Sequence, residues 1–318
     1  MTHTFDLIAV GRPSIDLSFS GLQAWPELGR DVDASGLGVG AGTSFNTPAA
    51  ANRLGLRVGY VAMIGNDIWS RMVLEEFERE ALPQDFFRVV DRPMPFVSVG
   101  LNLGGDRGFV SYEGGSEDDD LELQRFAEEV VRTADARHLH VYAGEEPSPL
   151  SARARERGMT VSFDAWSGPW WESEVPLEGL LPRADIVFAN EPEALAMTGE
   201  HDVERAMKEM AELCACVVIK RGENGAIATA GGSRAAAPAE PAEVVDTTGA
   251  GDCFSAGFLR GWLGGAPLET CLMLGNLCGA SVVGTYGGYR GCPTEAELRE
   301  TLARRGMSMP ELHREVAP

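Results

Sequence analysis

One run of residues in the last third of the chain combines threonines, glycines and an aspartate at close spacing. The run is 246–259, and within it Gly249-Ala250-Gly251 is followed immediately by Asp252. Glycines let a ligand approach the backbone closely, and N–H groups in the first turn of a helix are unpaired donors near the positive end of the helix dipole. Because an apolar, small-residue stretch follows, we predict a buried helix whose N-terminus binds an anion.

Asp252 is the residue of this run that could act as a general base. Its carboxylate could take the proton from a substrate hydroxyl while that hydroxyl attacks a phosphorus atom held by the backbone amides. Such help is worth about 10²- to 10⁴-fold in rate, and stabilisation of charge on the transferred group adds to it. The alternative is a helix cap, which is a common role for Asp near a helix start. The surrounding threonines and glycines favour the catalytic interpretation.

The net charge limits the partners that the protein can have. The 318 residues include 27 basic and 48 acidic side chains, which gives a formal net charge of −21. Such a surface repels phosphate backbones and anionic lipid, so we expect neither nucleic acid nor a membrane surface as a partner. A small anionic ligand would need a local group of backbone N–H donors, and the 249–251 segment is a candidate for it.

The cysteines and the N-terminal sequence indicate a cytoplasmic protein. None of the six cysteines forms a Cys-x-x-Cys pair, so reduced thiols in the core are favoured over disulfides or zinc ligands. They are Cys214, Cys216, Cys253, Cys271, Cys278 and Cys292. The sequence starts without a basic segment or a long apolar run, so we expect no signal peptide and no membrane-spanning helix.

Short apolar runs that read as strands alternate with helical patterns over most of the length. The predicted strands are 7–11, 58–64, 138–143, 160–163, 186–189 and 217–219, and the predicted helices include 48–55 and 70–79. Strand–helix alternation predicts a mostly parallel sheet with helices on both faces. The length fits a single large domain over residues 1–318.

Two pairs of predicted strands lack a helix between them. One pair is 15–19 with 32–39, and the other is 95–103 with 108–112, joined by a polar, glycine-rich hairpin at 104–107. We predict a small antiparallel sheet, built from about 14–40 and 95–113, that could act as a lid and exclude water from a site. The alternative is an extension of the main sheet edge with no closing role.

The run 246–259 resembles the second signature of the ribokinase-like (PfkB) carbohydrate kinase family, and the resemblance extends over nearly the whole chain. It implies an α/β fold, namely an αβα sandwich with a mostly parallel central sheet and a small β-sheet lid. It also implies ATP with Mg²⁺, and often a monovalent cation such as K⁺. By the same resemblance Asp252 is the base, Gly249 to Gly251 form the anion hole, and Asp246 and Thr248 lie near the cation site.

A second segment resembles the first signature of the family. It is 40–46, in which Ala41-Gly42 stand where the family usually has two adjacent glycines. The resemblance implies that Gly42 and Asn46 lie at the substrate and that Asn46 contacts its hydroxyls. A loop or helix-capping role for Asn46 is the alternative.

Two further aspartates are assigned to the substrate by resemblance. The segment 11–16 resembles the strand end at which the family carries an Asp that binds substrate hydroxyls, and the resemblance assigns this role to Asp16. Asp164 opens a segment where family members often carry Asp-Pro-Asn-x-Arg, but the Asn and Arg are absent here, which weakens the case for acidic sugars. Tryptophans that follow could stack on a sugar face or a nucleobase, or lie partly buried in the core: Trp166, Trp170 and Trp171.

Three segments resemble the elements with which the family binds its nucleotide. Asn-x-x-Glu at 190–193 would lie near the phosphates and Mg²⁺, since carboxylate and amide oxygens suit that ion, although this spacing also suits a helix cap. The turn at 220–225 would meet the phosphates, and part of the adenine pocket would follow later. The residues so assigned are Asn190, Glu193, Lys220, Gly222, Gly225, Asn276 and Gly279, with Glu193 also a metal ligand.

Other classes of protein fit the sequence less well. A loose Gly-x-Gly-x-x-Ala pattern at 36–41 does not open a helix after the first strand, so a dinucleotide oxidoreductase is disfavoured. No Gly-Lys-Ser/Thr run of a P-loop, and no His-Arg-Asp or Asp-Phe-Gly of a protein kinase, occurs. We therefore predict a kinase of a small sugar or polyol. A nucleoside kinase and a non-catalytic sugar-binding protein are the alternatives, and a homodimer through the lid is an expectation from the family.

Overall fold

The computed structural model describes residues 4–103, 106–142, 149–165 and 177–312. The tryptophan segment 166–171 and the hairpin glycines Gly104 and Gly105 lie outside the described residues. In the described part, no helix is both long enough and apolar enough to cross a bilayer. All six cysteines are free and buried.

Within the described residues, the larger sheet has nine strands in the order β13-β12-β11-β10-β9-β8-β1-β4-β5. Their bounds are β1 Leu7–Val10, β4 Val58–Ile64, β5 Phe87–Val89, β8 His138–Tyr142, β9 Thr160–Asp164, β10 Ile186–Asn190, β11 Cys216–Lys220, β12 Ala226–Ala230 and β13 Ser233–Ala237. Neighbouring strands are parallel from β11 to β5, whereas the β11–β12 and β12–β13 pairs are antiparallel. The prediction of a mostly parallel sheet is confirmed.

Helices cover both faces of this sheet. Their bounds are α1 Asn46–Arg53, α2 Ile68–Arg79, α3 Glu117–Thr133, α4 Pro149–Glu156, α5 Leu177–Leu180, α6 Glu191–Thr198, α7 Val203–Leu213, α8 Ala250–Leu263, α9 Leu268–Val283 and α10 Glu295–Arg304. One apolar core packs α1, α2, α8, α9 and α10 against the sheet, and a second core packs α3 to α7 against the other face. This arrangement is the predicted αβα sandwich.

The smaller sheet has four strands in the order β3-β2-β6-β7. They are β2 Pro13–Ser20, β3 Gly36–Thr43, β6 Phe96–Leu103 and β7 Asp106–Glu113. The β2–β3 and β6–β7 pairs are antiparallel, whereas β2 and β6 run parallel. A small separate sheet is therefore present, although the central pairing was not predicted.

The strand predicted at 32–39 is displaced, because β3 starts at Gly36 and runs to Thr43. Glycine is depleted in strands, so the alternate glycines from Gly36 to Gly42 give a weak strand signal. In the structure, packing against another segment of the chain explains why these glycines lie in a strand. These glycines share one face of β3, and a Cβ at Gly38 would lie 3.0 Å from Tyr286 Cβ. The strand tolerates glycine because another chain segment packs directly on its backbone.

Candidate active site

The carboxyl ends of four neighbouring strands form one edge of the larger sheet. β8 ends at Tyr142, β9 at Asp164, β10 at Asn190 and β11 at Lys220. Tyr142 is in register with Asp164, and Asn190 with Lys220, so these side chains follow one another along the edge. The crevice outside the carboxyl ends of parallel strands is where α/β folds bind their ligands.

Asp252 lies at this edge because of how α8 begins. The helix starts at Ala250 after Gly249, which has a φ of 74° and would place a Cβ only 2.9 Å from the Cα of Gly288. A side chain at position 249 would therefore be both strained and obstructed. The first turn of α8 therefore contains Ala250, Gly251 and Asp252, in agreement with the predicted helix start.

Two side chains from other elements hold the Asp252 carboxylate. Asn46 Nδ2 donates to Asp252 Oδ2 at 2.8 Å, and the Tyr142 hydroxyl donates to Asp252 Oδ1 at 3.0 Å. Burial raises the pKa of Asp252 to about 6, and the negative charge of Asp164 adds to this rise. Hydrogen bonds to the ionised form act in the opposite direction. The carboxyl group is thus placed to exchange a proton near neutral pH.

Lys220 supplies positive charge next to the start of α8. Its Nζ donates to Asp164 Oδ1 at 2.7 Å, and a Cβ at Gly251 would lie 3.3 Å from the same Nζ. Ser255 donates to Asp164 Oδ2 at 2.5 Å, so both oxygens of this buried carboxylate are engaged. Burial opposes the charge on Lys220, but Asp164 and Glu193 together raise the pKa of Lys220. The predicted substrate residue Asp164 is, in this structure, the counter-ion of Lys220.

Asn190 and Glu193 form a reciprocal cap at the start of α6. The Glu193 N–H donates to Asn190 Oδ1 and the Asn190 N–H donates to Glu193 Oε2, both at 2.8 Å. The capping arrangement considered as an alternative is therefore present. Burial nevertheless raises the pKa of Glu193 to about 7, with Lys220 acting against that rise, so this carboxyl also belongs to the charged edge.

Asp16 reaches the site from the small sheet. Ser14 donates to Asp16 Oδ1 at 2.6 Å, and a Cβ on Gly42 would lie 1.9 Å from Asp16 Oδ2. Burial raises the pKa of Asp16 to about 6; the Ser14 hydrogen bond lowers it, and the charge of Asp252 raises it. Gly42 is thus required as glycine because the carboxylate of Asp16 occupies the space of its side chain.

Asn46 carries an unpartnered acceptor in the site. The residue is 2% exposed, and no hydrogen bond from the described part of the chain reaches its Oδ1 atom, while its Nδ2 atom donates to Asp252. Gly288 approaches this atom so closely that a Cβ there would lie 2.8 Å from it. A buried acceptor without a donor is costly, and a hydroxyl group of a bound ligand would satisfy it.

Asp246 ties the loop before α8 to the small sheet. It is 2% exposed, accepts from Ser18 at Oδ2 (2.8 Å) and accepts the N–H of Thr248 at Oδ1 (2.9 Å). In the described residues, no three His, Cys, Asp or Glu side chains lie close enough together to hold a metal ion by themselves.

The remaining predicted nucleotide residues have structural contacts. Gly222 opens the turn after β11, and Gly225 closes it with a φ of 78°, where a Cβ would lie 2.1 Å from a backbone oxygen of Ala237. The Asn276 amide donates to the carbonyls of Ala237 and Pro238, at 3.1 and 2.8 Å. Gly279 has no side chain, which allows α9 to pack closely on α8, because a Cβ at position 279 would lie 3.1 Å from the carbonyl oxygen of Ala250.

Sequence analysis missed four residues at the site. Tyr142 and Gly288 contact predicted residues but lie outside every predicted motif, whereas Ser14 and Ser255 lie within the segments 11–16 and 246–259 but were assigned no role. The position of Tyr142 at the end of a predicted strand was the one available signal, since strand ends meet at a single edge. Ser255 and Gly288 meet their partners, Asp164 and Asn46, through the packing of elements distant in sequence.

A carboxylate at the start of α8, next to a lysine and at the carboxyl edge of the parallel strands, is an arrangement suited to an enzyme that binds an anion and moves a proton. Comparison with known families agrees, since residues 20–295 match the model of the pfkB family carbohydrate kinases. The chain belongs to this family, and it is a kinase.

Named relatives cover most of the chain. A cytidine kinase of Thermococcus kodakarensis is 32% identical over 299 residues, which are 89% of this chain and 98% of the relative. The ribokinase of Arabidopsis thaliana, solved with ribose and ATP, has a TM-score of 0.73 at 23% identity and covers 93% of this chain and 98% of its own. A candidate ribokinase II of E. coli, solved with ATP and Mg²⁺, has a TM-score of 0.77 at 22% identity and covers 95% and 99%. The structural likenesses confirm the ribokinase-like fold.

Proposed function

We propose that this kinase transfers the γ-phosphoryl group of ATP to a hydroxyl group of a small, uncharged sugar or polyol. The observation that carries the proposal is the position of Asp252. Its carboxylate lies at the N-terminus of α8, within hydrogen-bonding distance of Asn46 and beside the Lys220 charge. The site therefore offers a base, a set of anion-binding N–H donors and a cation in one crevice.

In the proposed reaction the acceptor hydroxyl donates to Asp252 Oδ2. As its oxygen forms a bond to the γ-phosphorus, the proton passes to Asp252 and the bond from that phosphorus to the β,γ-bridging oxygen breaks. The products are the phosphorylated acceptor and ADP. N–H groups at Gly249, Ala250 and Gly251, together with Lys220, stabilise the charge on the transferred group.

Mg²⁺ is part of the proposal. Bound with the nucleotide, it would neutralise charge on the phosphate oxygens. Glu193 and Asn190 fit this role as partners through water or directly, because Mg²⁺ usually binds to phosphates with one or two carboxylates and not to a complete protein cage. For K⁺ we propose the loop of Asp246 and Thr248, and replacing K⁺ by a bulky organic cation at constant ionic strength would test the requirement.

The acceptor is proposed to bind between the small sheet and the carboxyl edge. Asp16 presents a carboxylate and Asn46 an unpartnered amide oxygen, and both accept hydrogen bonds from hydroxyl groups. Because Asp16 and Asp252 are both acidic, an anionic acceptor would be repelled. A nucleoside is the second candidate, favoured by the 32% identity to a cytidine kinase, and its ribose would present the same hydroxyls.

The small sheet is proposed to act as a lid and to mediate a homodimer. One face carries Ser14, Asp16 and Ser18, while the other carries the alternating apolar residues. On that apolar face Leu37, Val110 and Tyr112 are 57%, 68% and 65% exposed. A second copy of the chain would cover them. The free, buried cysteines support a reducing, cytoplasmic location.

Product mass after incubation with ATP and Mg²⁺ tests the proposal. The acceptors are a panel of free sugars, polyols, sugar acids and nucleosides, with Asp252→Asn as the inactive control. A gain of one phosphate on a neutral sugar or polyol, absent with the variant, is the expected result. Transfer to nucleosides alone would favour the second candidate. No transfer to any acceptor despite ATP binding would contradict both.

A further inference from the structure

Tyr142 is a residue at the site to which no motif assigned a role. Its hydroxyl lies 3.0 Å from Asp252 Oδ1, 3.2 Å from Thr47 Oγ1 and 3.4 Å from the carbonyl oxygen of Thr43. The ring packs edge-on against His140 at 5.7 Å between centroids, which fixes its direction. The hydroxyl thus joins the ends of β3 and β8 and the start of α1 to the carboxylate on α8.

A tyrosine hydroxyl has one hydrogen to donate, and the carboxylate is its nearest acceptor. A hydrogen bond to an ionised acceptor is also stronger than one to a backbone carbonyl. Burial, and then the charge of Asp252, raise the pKa of Tyr142 well above its ordinary value, so the hydroxyl keeps its proton. Asp252 Oδ1 is therefore occupied by Tyr142 throughout the neutral range.

The other carboxylate oxygen, Oδ2, is held by a side chain that lies next to the start of α8. Among the described residues, the Asn46 amide is the one hydrogen-bond donor to Asp252 Oδ2, at 2.8 Å, and the same Nδ2 atom would lie 3.3 Å from a Cβ at Gly249. Occupation of Oδ1 by Tyr142 leaves Oδ2 to receive a substrate proton.

We propose that Tyr142 is a positioning residue that selects Asp252 Oδ2 as the proton acceptor and keeps the carboxylate ionised. The proposal rests on the function proposed above, in which Asp252 is the base. Charged and polar groups that face Asp252 come from five other elements: Asp16 of β2, Asn46 of α1, Asp164 of β9, Glu193 of α6 and Lys220 of β11. All of them remain when only the Tyr142 hydroxyl is removed.

The test is Tyr142→Phe, with Tyr60→Phe as the matched control. Tyr60 is a buried tyrosine whose hydroxyl bonds to Ser44 at 2.7 Å and not to Asp252. In Tyr142→Phe we expect the acidic limb of the pH profile of kcat/KM to move up by about one pH unit, because a hydrogen bond to the ionised form is lost. Activity should fall about tenfold below pH 6 and recover at alkaline pH, with KM for ATP unchanged.

A second measurement reports on Asp252 without turnover. The ¹³C-carboxyl resonance of Asp252, identified by its loss in Asp252→Asn, should titrate about one pH unit higher in Tyr142→Phe than in wild type. Unchanged titration and an unchanged pH limb in Tyr142→Phe would overturn the inference. If instead Asp252→Asn retained full turnover, the proposed function itself would fail, whatever Tyr142→Phe does. Tyr60→Phe should match the wild-type profile in both measurements.

Discussion

At the scale of residues, the site concentrates negative charge. The carboxyl groups of Asp164, Glu193 and Asp252 act on the Lys220 ammonium, and Asp16 lies close enough to Asp252 to affect its charge, in a chain whose net charge is already −21. Burial and mutual repulsion explain why the pKa values of Asp16, Glu193 and Asp252 are all raised. A site with this excess suits a substrate that arrives with bound cations, as a metal–nucleotide complex does.

The raised pKa of Asp252 predicts that the ionised carboxylate lowers the free energy of unfolding. Its pKa is about 6 in the folded protein, against an ordinary 3.8, so the folded state holds this proton more tightly than the unfolded state. The resulting destabilisation grows as pH rises from about 4 to about 6 and is then constant. Asp252→Asn should therefore raise the free energy of unfolding at about pH 8 by on the order of 3 kcal/mol, since the pKa rises by about two units and each unit is worth about 1.4 kcal/mol.

Chemical denaturation across this pH range measures the effect. The gain should shrink as the pH approaches about 4, because the wild-type carboxyl is then protonated in the folded state. An exposed aspartate outside the site, Asp31, provides the control, and Asp31→Asn should change stability by less than about 0.5 kcal/mol. A variant Asp252→Asn less stable than wild type at about pH 8 would contradict the prediction.

Lys220 is expected to be required for both the fold and the reaction. Lys220→Met leaves Asp164 buried without its cation and removes charge near the start of α8. We expect a loss of stability of about 3 kcal/mol and a fall in kcat of at least about tenfold. Thermal denaturation and steady-state rates measure these, with Lys208→Met on the exposed surface of α7 as control. Similar behaviour of the two variants would count against the role of Lys220.

At the scale of elements, β3 shows how glycines place the substrate side of the site. A Cβ at Gly42 would lie 1.9 Å from Asp16 Oδ2, whereas a Cβ at Gly40 would meet Arg290 only at an ordinary 3.6 Å. Neither has a positive φ, so the two differ in side-chain space and not in backbone strain. Gly42→Ala should displace Asp16 and raise KM for the acceptor at least about tenfold, while Gly40→Ala should not.

Steady-state kinetics with varied acceptor at saturating ATP tests this pair of variants. Both are on the same strand and face, so a general weakening of β3 would affect them alike. The proposed role of Asp16 would be refuted by an acceptor KM in Gly42→Ala equal to that of wild type.

The elements also show what sequence alone could predict. β4 has the predicted bounds, 58–64, because its run of apolar residues is typical of a strand buried on both faces. β12 and β13 were not predicted, since Ala226–Ala230 and Ser233–Ala237 are alanine-rich, and alanine is depleted in strands. Pairing with β11 at the sheet edge overrides that local preference.

Only the part of the candidate site that lies within one short segment of the chain could be predicted from the sequence. The motif at 246–259 places Asp252 at a helix start, because Gly249 caps the helix and Asp252 follows three residues later. The partners of Asp252 and Asp164 come from strands and helices far away in sequence. No spacing rule within one segment encodes such contacts, which explains why Tyr142 and Ser255 were missed.

At the scale of the whole molecule, the two sheets contribute different residues to the site. The larger sheet supplies the carboxyl edge with Asp164 and Lys220, and α8 supplies Asp252. The smaller sheet supplies Asp16 and is fastened to the loop before α8 by the hydrogen bond from Ser18 to Asp246. A movement of the smaller sheet would thus displace the loop that leads into α8.

The apolar face of the smaller sheet predicts the oligomeric state. Val110 is 68% exposed and, with its apolar neighbours, would be buried by a second copy of the chain. Sedimentation velocity should show a dimer for wild type and a monomer for Val110→Glu, because burying an unpaired charge in an interface is costly. Leu121→Glu on α3, where the leucine is 46% exposed, is the control and should remain dimeric. A wild-type monomer would contradict the prediction.

The most direct test of the account is turnover by Asp252→Asn with a phosphate acceptor found in the panel. The substitution keeps the shape of the side chain and removes its ability to accept the proton. We expect kcat to fall at least about 10²-fold, while calorimetry shows that MgATP still binds. Retention of wild-type kcat by this variant would contradict the assignment of Asp252 as the base and, with it, the proposed mechanism.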